Sequence, residues 1–340
     1  MENKIKIAII GAGYWGKNLI RVFSNLDYGE LVLICDKDNN KLKEIEKIKK
    51  EETKITTDTS EVFKDREVDA IVIATPASSH YNLAINALEE GKHVWIEKPM
   101  TLTSAEAEDL IKIAEEKCLL LHVDHTFLYT PAVRELRQII QRGELGKIRY
   151  LDSQRLNLGT IQPDVNVIFD LAGHDISIFN YILNQRPKTI SANGASFITL
   201  SHHNKREEMA YITLEYPSDI FAHIYVSWLS PEKVRKMIIY GDEKIGVYDD
   251  MELAKKIKLY DYKVSFNSEA SNFIYHKGEV IIPKLEEKEA LQVEALHFLE
   301  CIIKGTSSLT DGYNGLEIIR ILESANTSLR ENGRSINISY

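Results

Sequence analysis

The chain has 340 residues, of which 44% are hydrophobic and 27% are charged. This length suggests two domains of ordinary size, and the composition is typical of a globular protein rather than a fibrous or disordered one. The net charge of −9 argues against a nucleic-acid-binding protein, because phosphate binding needs a basic face. It does not exclude an anionic small ligand, which only a local site has to accept.

Three isolated cysteines, Cys35, Cys118 and Cys301, lack the spacing of a zinc site. We therefore expect no metal, and three reduced core thiols in a cytoplasmic protein. Residues 1–10 contain no apolar run of signal-peptide length, and no stretch of the chain approaches ~18 uncharged apolar residues. These features predict neither secretion nor a membrane span.

The first third of the chain alternates short β-branched runs with amphipathic stretches, a pattern typical of βαβ units on a parallel sheet. The predicted strands are Lys4–Ile10, Leu31–Cys35, Ala70–Ala74, His93–Ile96 and Leu119–Val123. The predicted helices are Trp15–Asn25, Lys41–Lys50, Ser79–Glu90 and Ser104–Lys117. We predict an α/β Rossmann domain with a mostly parallel sheet over residues 1–124.

Strand-like runs dominate the chain after a predicted helix over Pro131–Gln141. They are Ile148–Leu156, Thr189–Leu200, Glu208–Tyr216, Phe221–Leu229 and Val234–Tyr240, followed by shorter runs up to Tyr260. One helix near residues 166–183 interrupts them, and two amphipathic helices, Glu289–Lys304 and Leu316–Arg330, follow. Turns between successive strands indicate an α+β domain with a large, mostly antiparallel sheet over residues 125–340.

Large side chains alternate on both faces of the predicted strand Phe221–Leu229. We expect one face to meet helices and the other to meet a second subunit, which would give a homodimer or homotetramer through this sheet. A second helical layer from the same chain is the alternative.

The first predicted strand runs directly into a glycine-rich turn, Gly11-Ala12-Gly13-Tyr14-Trp15-Gly16, and then into a helix. In a dinucleotide-binding turn, Gly11 makes the tight bend, Gly13 lets the backbone approach a pyrophosphate, and Gly16 allows close packing of helix on strand. Asp36, at the end of the next strand, would accept hydrogen bonds from a ribose 2′-hydroxyl and repel a 2′-phosphate. These residues predict NAD binding rather than NADP binding; an ordinary turn role is the alternative for Asp36.

Two further strand ends carry candidate residues, because ligands of open α/β sheets bind at the carboxyl edge of the sheet. Thr75 and Pro76 could line the nicotinamide ribose or simply form a turn. Glu97-Lys98-Pro99 ends the strand before the fourth predicted helix, and Pro99 restricts the backbone of Lys98. Lys98 would then project toward the ligand crevice, with a solvated lysine as the alternative.

The predicted helix Val167–Leu183 is apolar except for a stripe formed by Asp170, His174 and Ser177. Polar groups on such a helix must be hydrogen-bonded or used in function. A histidine suits the general base that NAD-dependent oxidation of an alcohol needs, and a neighbouring carboxylate can fix its tautomer. Lys98 can hold developing alkoxide charge if this helix packs over the carboxyl edge of the first domain; a structural Asp/His pair is the alternative.

These motifs together resemble the Gfo/Idh/MocA oxidoreductases. The resemblance rests on the glycine-rich turn, Ala-Thr-Pro at 74–76, Glu-Lys-Pro at 97–99 and Asp-x-x-x-His at 170–174, and it covers nearly the whole chain. It implies bound NAD(P), a sugar or cyclitol substrate, and Lys98, Asp170 and His174 as catalytic residues. We also assign Tyr14, Trp15, His80 and Glu97, together with Lys98, to cofactor binding.

The chain departs from the common family pattern at two places. Val167-Ile168-Phe169 stand where glycines often precede the aspartate, and Ser177 stands where a second carboxylate often follows the histidine. Residues 11–19, 170–178 and 227–235 look more like the branch that includes nucleotide-sugar 3-dehydrogenases. That resemblance implies oxidation of the 3-hydroxyl of UDP-N-acetylglucosamine or its uronate.

A nucleotide sugar carries a pyrophosphate, so cations are needed near its site. Candidate substrate-binding residues, besides Lys98 and His174, are His125, Arg155, Asn157, Lys233 and Arg235. Each basic residue could equally be a solvated surface charge, and His125 could be a core histidine. Other open functions are a keto-sugar reductase in deoxysugar synthesis, a free-sugar or inositol dehydrogenase, and a non-catalytic dinucleotide-sensing regulator.

Overall fold

A computed structural model of the chain describes residues 4–198 and 206–340. The chain forms two compact units. The first contains the described residues up to Tyr129 together with Lys288–Ile319, and the second contains the described residues of 130–287 together with Arg320–Tyr340. The chain thus returns to the first unit at residues 288–319. The predicted domains, 1–124 and 125–340, do not include this return, and their bounds stay a prediction.

The first unit is built on a six-stranded sheet in the order β3-β2-β1-β4-β5-β6, in which each neighbouring pair is parallel. The strands are β1 (Ile5–Ile10), β2 (Gly29–Cys35), β3 (Lys54–Thr56), β4 (Ala70–Ile73), β5 (His93–Glu97) and β6 (Leu121–Asp124). The helices are α1 (Tyr14–Phe23), α2 (Asn39–Ile45), α3 (Thr59–Lys64), α4 (His80–Glu89) and α5 (Ser104–Glu116). The predicted Rossmann architecture is confirmed.

Both faces of this sheet are buried, which explains why its strands are continuous apolar runs. Ile7 and Ile9 belong to one core cluster and Ala8 and Ile10 to the other, because successive side chains of a strand point to opposite faces. On the first face, α1 packs beside a later helix, α8 (Ala290–Lys304). The returning segment therefore completes the core of the first unit.

The second unit is built on a nine-stranded sheet in the order β14-β13-β12-β11-β7-β10-β9-β8-β15. The strands are β7 (Ile148–Leu158), β8 (Thr189–Ala195), β9 (Met209–Tyr216), β10 (Ile220–Ser227), β11 (Leu229–Gly241), β12 (Ile245–Asp249), β13 (Ile257–Asn267), β14 (Asn272–Ile281) and β15 (Ile336–Asn337). The pairs are antiparallel except for the parallel pair of β7 and β10. The predicted mostly antiparallel sheet is confirmed.

The helices of the second unit are α6 (Pro131–Gln141) and α7 (Gly173–Leu183), which pack on each other, and the end of α9 (Gly312–Arg330), within which the division between the units falls. No helix in the described parts of the chain is long and apolar enough to cross a bilayer. Among the same residues, no group of three or more His, Cys, Asp or Glu side chains is arranged to hold a metal ion.

Three predictions about local structure need correction or restriction. The hairpin of β13 and β14 extends well beyond Tyr260; its distal half is exposed on both faces, so its sequence lacks the alternation that marks a half-buried strand. Cys118 is exposed rather than in the core, because it follows α5 in a left-handed conformation, while Cys35 and Cys301 are buried free thiols. The end of the predicted strand Thr189–Leu200 lies outside the described residues.

Candidate functional site

The glycine-rich turn between β1 and α1 has the close backbone approaches that its glycines predict. A Cβ on Gly11, where φ is +107°, would lie 2.3 Å from the carbonyl oxygen of Ala74. A Cβ on Gly16 would lie 2.1 Å from the carbonyl oxygen of Gly11. A Cβ on Gly13, the N-cap of α1, would meet open space. The backbone amides at this helix start are therefore open to an anionic group.

Asp36 directly follows β2 beside this turn and is buried. Its Oδ2 accepts a 2.8 Å hydrogen bond from the amide of Ala12, and its Oδ1 accepts one of 2.9 Å from the amide of Asp38. The Lys41 ammonium lies 3.6 Å from Oδ2. The carboxylate thus fixes the turn to the end of β2, the place at which a ribose hydroxyl is expected.

The loops after β4 and β5 are joined by His80. The imidazole is wholly buried, and its nitrogens lie 2.8 Å from the carbonyl oxygens of Thr75 and Pro99. The Ser79 hydroxyl donates to Thr75 Oγ1 at 2.7 Å. His80 therefore bridges the two loops that are predicted to bind the cofactor. Pro76 stands at the start of the short 3₁₀ turn that follows Thr75.

Glu97 and Lys98 stand at the carboxyl end of β5. Glu97 is buried, and the pKa of its carboxyl is raised well above the usual value, first by burial and then by the adjacent Asp124. Lys98 is half-buried and follows directly, with a cis peptide bond to Pro99. The first unit therefore brings Lys98 to the carboxyl edge that carries the glycine-rich turn.

A buried polar cluster at the end of β6 was not predicted. Asp124 lies opposite Glu97 in the strand register, and its Oδ2 accepts a 3.2 Å hydrogen bond from Trp15 Nε1 in the glycine-rich turn. His122 lies two residues earlier on the same strand. Its Nε2 lies 3.2 Å from Glu294 Oε1 of α8, and its Nδ1 lies 2.8 Å from Ser308 Oγ. The polar run His-Val-Asp-His at the end of an apolar strand is the sequence signal that could have indicated this cluster.

Burial makes the His122–Glu294 contact a neutral one. It lowers the pKa of His122 well below its usual value and raises the pKa of the Glu294 carboxyl well above its usual value, with Asp124 adding to the second shift. A protonated acid beside an uncharged imidazole avoids placing two isolated charges in the core.

The predicted helix Val167–Leu183 begins as a π-helical turn over Ile168–Ala172, which carries Asp170, and continues as α7 with His174 in its first turn. Trp228 Nε1 donates to Asp170 Oδ2 at 2.9 Å. Ser177 is buried and donates to the carbonyl oxygen of His174 at 2.8 Å. The segment is thus not one uniform α-helix. π-helical turns are rare in proteins, and those that occur are often at functional sites.

Arg155 on β7 forms an ion pair with Asp175 of α7. Arg155 Nε lies 2.7 Å from Asp175 Oδ2, and Ser153 Oγ donates to Asp175 Oδ1 at 2.7 Å. Both members are buried, and Asp175 was not among the predicted residues. The guanidinium therefore serves the core of the second unit, and its contact with substrate stays a prediction.

The other predicted substrate-binding residues differ in their surroundings. His125 is buried in the first unit, and burial lowers the pKa of its imidazole to about 4. Arg235 lies 3.3 Å from Asp250, which Lys256 also contacts, while Lys233 is exposed on the same strand. Asn157 is half-buried on β7. Lys233 and Arg235 thus lie on the less buried first half of β11 in the second unit. In the first unit, Tyr14 is strongly exposed.

Two protein-family models match the chain. One, described as an oxidoreductase family with an NAD-binding Rossmann fold, matches residues 5–125, and the other, the GFO/IDH/MocA C-terminal domain, matches residues 133–245. Together they span more than half of the chain.

Among curated proteins, the UDP-N-acetylglucosamine 3-dehydrogenase of Acidithiobacillus ferrooxidans is 28% identical over 266 residues, which cover 74% of this chain and 76% of that one. The scyllo-inositol 2-dehydrogenase (NAD(+)) of Bacillus subtilis is 24% identical over 354 residues, which cover 99% of this chain and 97% of that one. Relatives with different substrates therefore match at similar levels.

Solved structures share the fold. The A. ferrooxidans UDP-N-acetylglucosamine 3-dehydrogenase GnnA superimposes with a TM-score of 0.80 at 24% identity, covering 97% of this chain and 99% of that one. GenD2 from gentamicin A biosynthesis, solved in complex with NAD, superimposes with a TM-score of 0.80 at 18% identity, covering 100% of this chain and 98% of that one.

Proposed function

This chain belongs to the Gfo/Idh/MocA family of oxidoreductases, whose first domain has an NAD-binding Rossmann fold, and from this premise we propose that it oxidises the 3-hydroxyl of a nucleotide-linked sugar, such as UDP-N-acetylglucosamine or its uronate, to a 3-keto sugar. The observation that carries the proposal is the Asp170 carboxylate, held by the Trp228 indole one turn before His174 on a polar stripe of an otherwise apolar helix.

The turn residues and strand ends of the first unit fit the cofactor. Gly13 leaves the start of α1 open to the pyrophosphate, Gly11 and Gly16 allow the close backbone approaches of the turn, and the Asp36 carboxylate suits a ribose with a 2′-hydroxyl. Tyr14, Trp15, Thr75, Pro76 and Glu97 are assigned to the same binding site, and His80 to the support of its loops. NAD, when bound, accepts the hydride from the sugar carbon.

The reaction assigns one role to each of three side chains. His174 takes the proton of the 3-hydroxyl as the carbon–hydrogen bond breaks, since an imidazole is a base suited to neutral pH. Asp170 orients that imidazole, and Trp228 holds Asp170 in place. Lys98 donates a hydrogen bond to the same oxygen and stabilises its developing negative charge.

The substrate class is supported by similarity and by charge. The UDP-N-acetylglucosamine 3-dehydrogenase relative is 28% identical, and Lys233 and Arg235 offer cations for a sugar pyrophosphate. A free-sugar or cyclitol dehydrogenase is the second candidate, favoured by the scyllo-inositol dehydrogenase relative that matches 99% of the chain. The same residues would also serve a keto-sugar reductase, since the reaction is reversible, whereas a non-catalytic regulator would not need His174.

The test is NADH formation by the purified protein with NAD and each of four substrates: UDP-N-acetylglucosamine, its uronate, free N-acetylglucosamine and scyllo-inositol. We expect turnover with a nucleotide sugar, with an aminotransferase present to remove the keto product. His174→Gln and Lys98→Met should each lower kcat by about 100-fold or more. His276→Gln, an exposed histidine on β14, is the matched control and should leave kcat unchanged. Turnover with scyllo-inositol alone would contradict the nucleotide-sugar assignment.

The proposed oligomer uses one face of the nine-stranded sheet. Phe221 and Tyr211 are about half exposed there, Tyr211 stacks on Tyr225 at 4.4 Å between ring centroids, and the alternate residues Ala222 and Ile224 are buried. An exposed aromatic face of this kind suits a second copy of the chain. Sedimentation of Phe221→Asp should show a smaller species than wild type, and the exposed control Leu253→Asp should not; a monomeric wild type would contradict this part of the proposal.

A further inference from the structure

We propose that Asp124 is a positioning residue that holds the Trp15 indole along the carboxyl edge of the six-stranded sheet and thereby fixes the glycine-rich turn in its cofactor-binding conformation. The inference rests on the NAD-binding role of that turn.

The contact joins distant parts of the sheet. Trp15 lies in the first turn of α1, directly after the central strand β1, and Asp124 ends the edge strand β6, 109 residues later. Two strands, β4 and β5, separate β1 from β6, so the strand axes are roughly 14 Å apart at a spacing of ~4.8 Å. The Trp15 and Asp124 side chains therefore meet across the strand ends at which open α/β sheets bind ligands.

Asp124 is itself rigidly held, as a positioning residue must be. Its side chain is 2% exposed, and its Oδ1 accepts hydrogen bonds from both the amide and the hydroxyl of Thr126, the first at 3.2 Å. Its backbone is paired with Glu97 in the sheet register. Burying a carboxylate costs free energy unless hydrogen bonds compensate, and one of those bonds comes from the indole of the turn.

Trp15 contributes little to the core, so its hydrogen bond to Asp124 is not explained by core packing. Its side chain is 38% exposed, whereas Trp95 of β5 is wholly buried. The Trp15 indole is therefore held at its Nε1 by a buried carboxylate while more than a third of the residue stays exposed in the glycine-rich turn. Glu97 is paired with Asp124 in the sheet and directly precedes Lys98, so the cluster lies at the same edge as Lys98. Glu97 Oε1 is buried with no hydrogen-bond partner among the described residues.

The first experiment observes the hydrogen bond directly. The chain has three tryptophans, Trp15, Trp95 and Trp228, so a nitrogen–proton correlation spectrum contains three indole signals. Trp15→Phe identifies the Trp15 signal by its loss. We expect Asp124→Asn to shift that signal and leave the other two in place, while the matched control Asp109→Asn, whose carboxylate accepts from Tyr81 on the surface, shifts none. An unchanged Trp15 signal in Asp124→Asn would overturn the proposal.

The second experiment measures NAD affinity by calorimetry without any sugar. Loss of a hydrogen bond to a charged group should weaken binding by about tenfold in Asp124→Asn and in Trp15→Phe. The double variant should be no weaker than either single one, because both remove the same contact. With a turned-over substrate, KM for NAD should rise in both single variants.

The outcomes separate this inference from the proposed function. Absence of NAD binding by the wild type would contradict the cofactor assignment itself. Wild-type NAD affinity in Trp15→Phe, or additive losses in the double variant, would contradict the role of Asp124 and leave the dehydrogenase proposal intact. Because Trp15 is partly exposed, Trp15→Phe should fold even if Asp124→Asn does not, and wild-type NAD affinity in that variant would then overturn the proposal.

Discussion

The two units bury acidic side chains in opposite ways. In the second unit, Asp175 is neutralised by the Arg155 guanidinium and the Ser153 hydroxyl. In the first unit, Glu97, Asp124 and Glu294 lie together at the ends of β5 and β6, among an indole, a hydroxyl and an imidazole. The ion pair of the second unit balances charge. In the first unit, the pKa values of Glu97 and Glu294 are raised well above the usual value.

We interpret the ion pair as mainly structural and the carboxyl cluster as part of the proposed cofactor site. The buried Arg155–Asp175 ion pair fixes α7 on β7. Clustered carboxyl groups with shifted pKa values are characteristic of ligand and catalytic sites, and here they adjoin the glycine-rich turn and Lys98. The comparison predicts that substitutions in the two places have different signatures.

The largest effect is expected at the ion pair. Arg155→Met leaves the Asp175 carboxylate buried without its cation and should lower the free energy of unfolding by about 3–5 kcal/mol. Denaturant unfolding followed by circular dichroism measures it. Arg142→Met, which removes the ion pairs of a half-exposed arginine with Glu135 and Glu144, is the control and should cost about 1 kcal/mol or less. Equal losses in the two variants would show that the buried pair has no special structural role.

A smaller, pH-dependent effect is expected at His125. Its pKa is lowered to about 4 by burial from the usual 6.5, so the unfolded chain binds a proton that the folded one does not. The contribution of His125 is fully present above pH 6.5 and is lost as pH falls toward 4, at about 1.4 kcal/mol per pH unit. The free energy of unfolding of His125→Leu, measured by denaturant unfolding at several pH values, should not show this loss. The same slope against pH in the variant and the wild type would show that the His125 imidazole is not shielded from water.

The opposite sign is expected at Glu294. Because its folded pKa is raised above the usual 4.5, its contribution is fully present below pH 4.5 and is lost as pH rises through the folded value. Glu294→Gln cannot ionise and should cost about 1 kcal/mol at pH 4.5, from the weakened contact with His122, and less at pH 7. A cost that grows with pH would mean that Glu294 is ionised in the fold.

Local patterns in the sequence were sufficient to predict most of the second sheet and the first unit up to β6, except for the short elements β3 and α3, which the sequence analysis did not include. Strands such as β1 and β4 are buried on both faces and are therefore continuous apolar runs, and Gly11 and Gly16 stand where close backbone contacts require them. The stripe containing Asp170 and His174 was visible because it interrupts an apolar helix.

The parts that sequence reasoning missed depend on contacts between distant residues. Arg155 and Asp175 meet because β7 lies under α7, and Trp15 meets Asp124 because β6 is placed at the sheet edge. The π-helical turn over Ile168–Ala172 ends at Gly173, but a single glycine inside a helical pattern does not distinguish a π-helical turn from an α-helix. The return of residues 288–319 to the first unit likewise leaves no local signal.

The central claim is most directly tested with UDP-N-acetylglucosamine that carries deuterium at C3 of the sugar. Mass spectrometry of the cofactor after turnover should find the deuterium in the reduced nicotinamide, with transfer lost in His174→Gln, and no label from substrate deuterated at another carbon. Unlabelled NADH from the C3-deuterated sugar, or deuterium acquired from a different carbon, would contradict oxidation of the 3-hydroxyl.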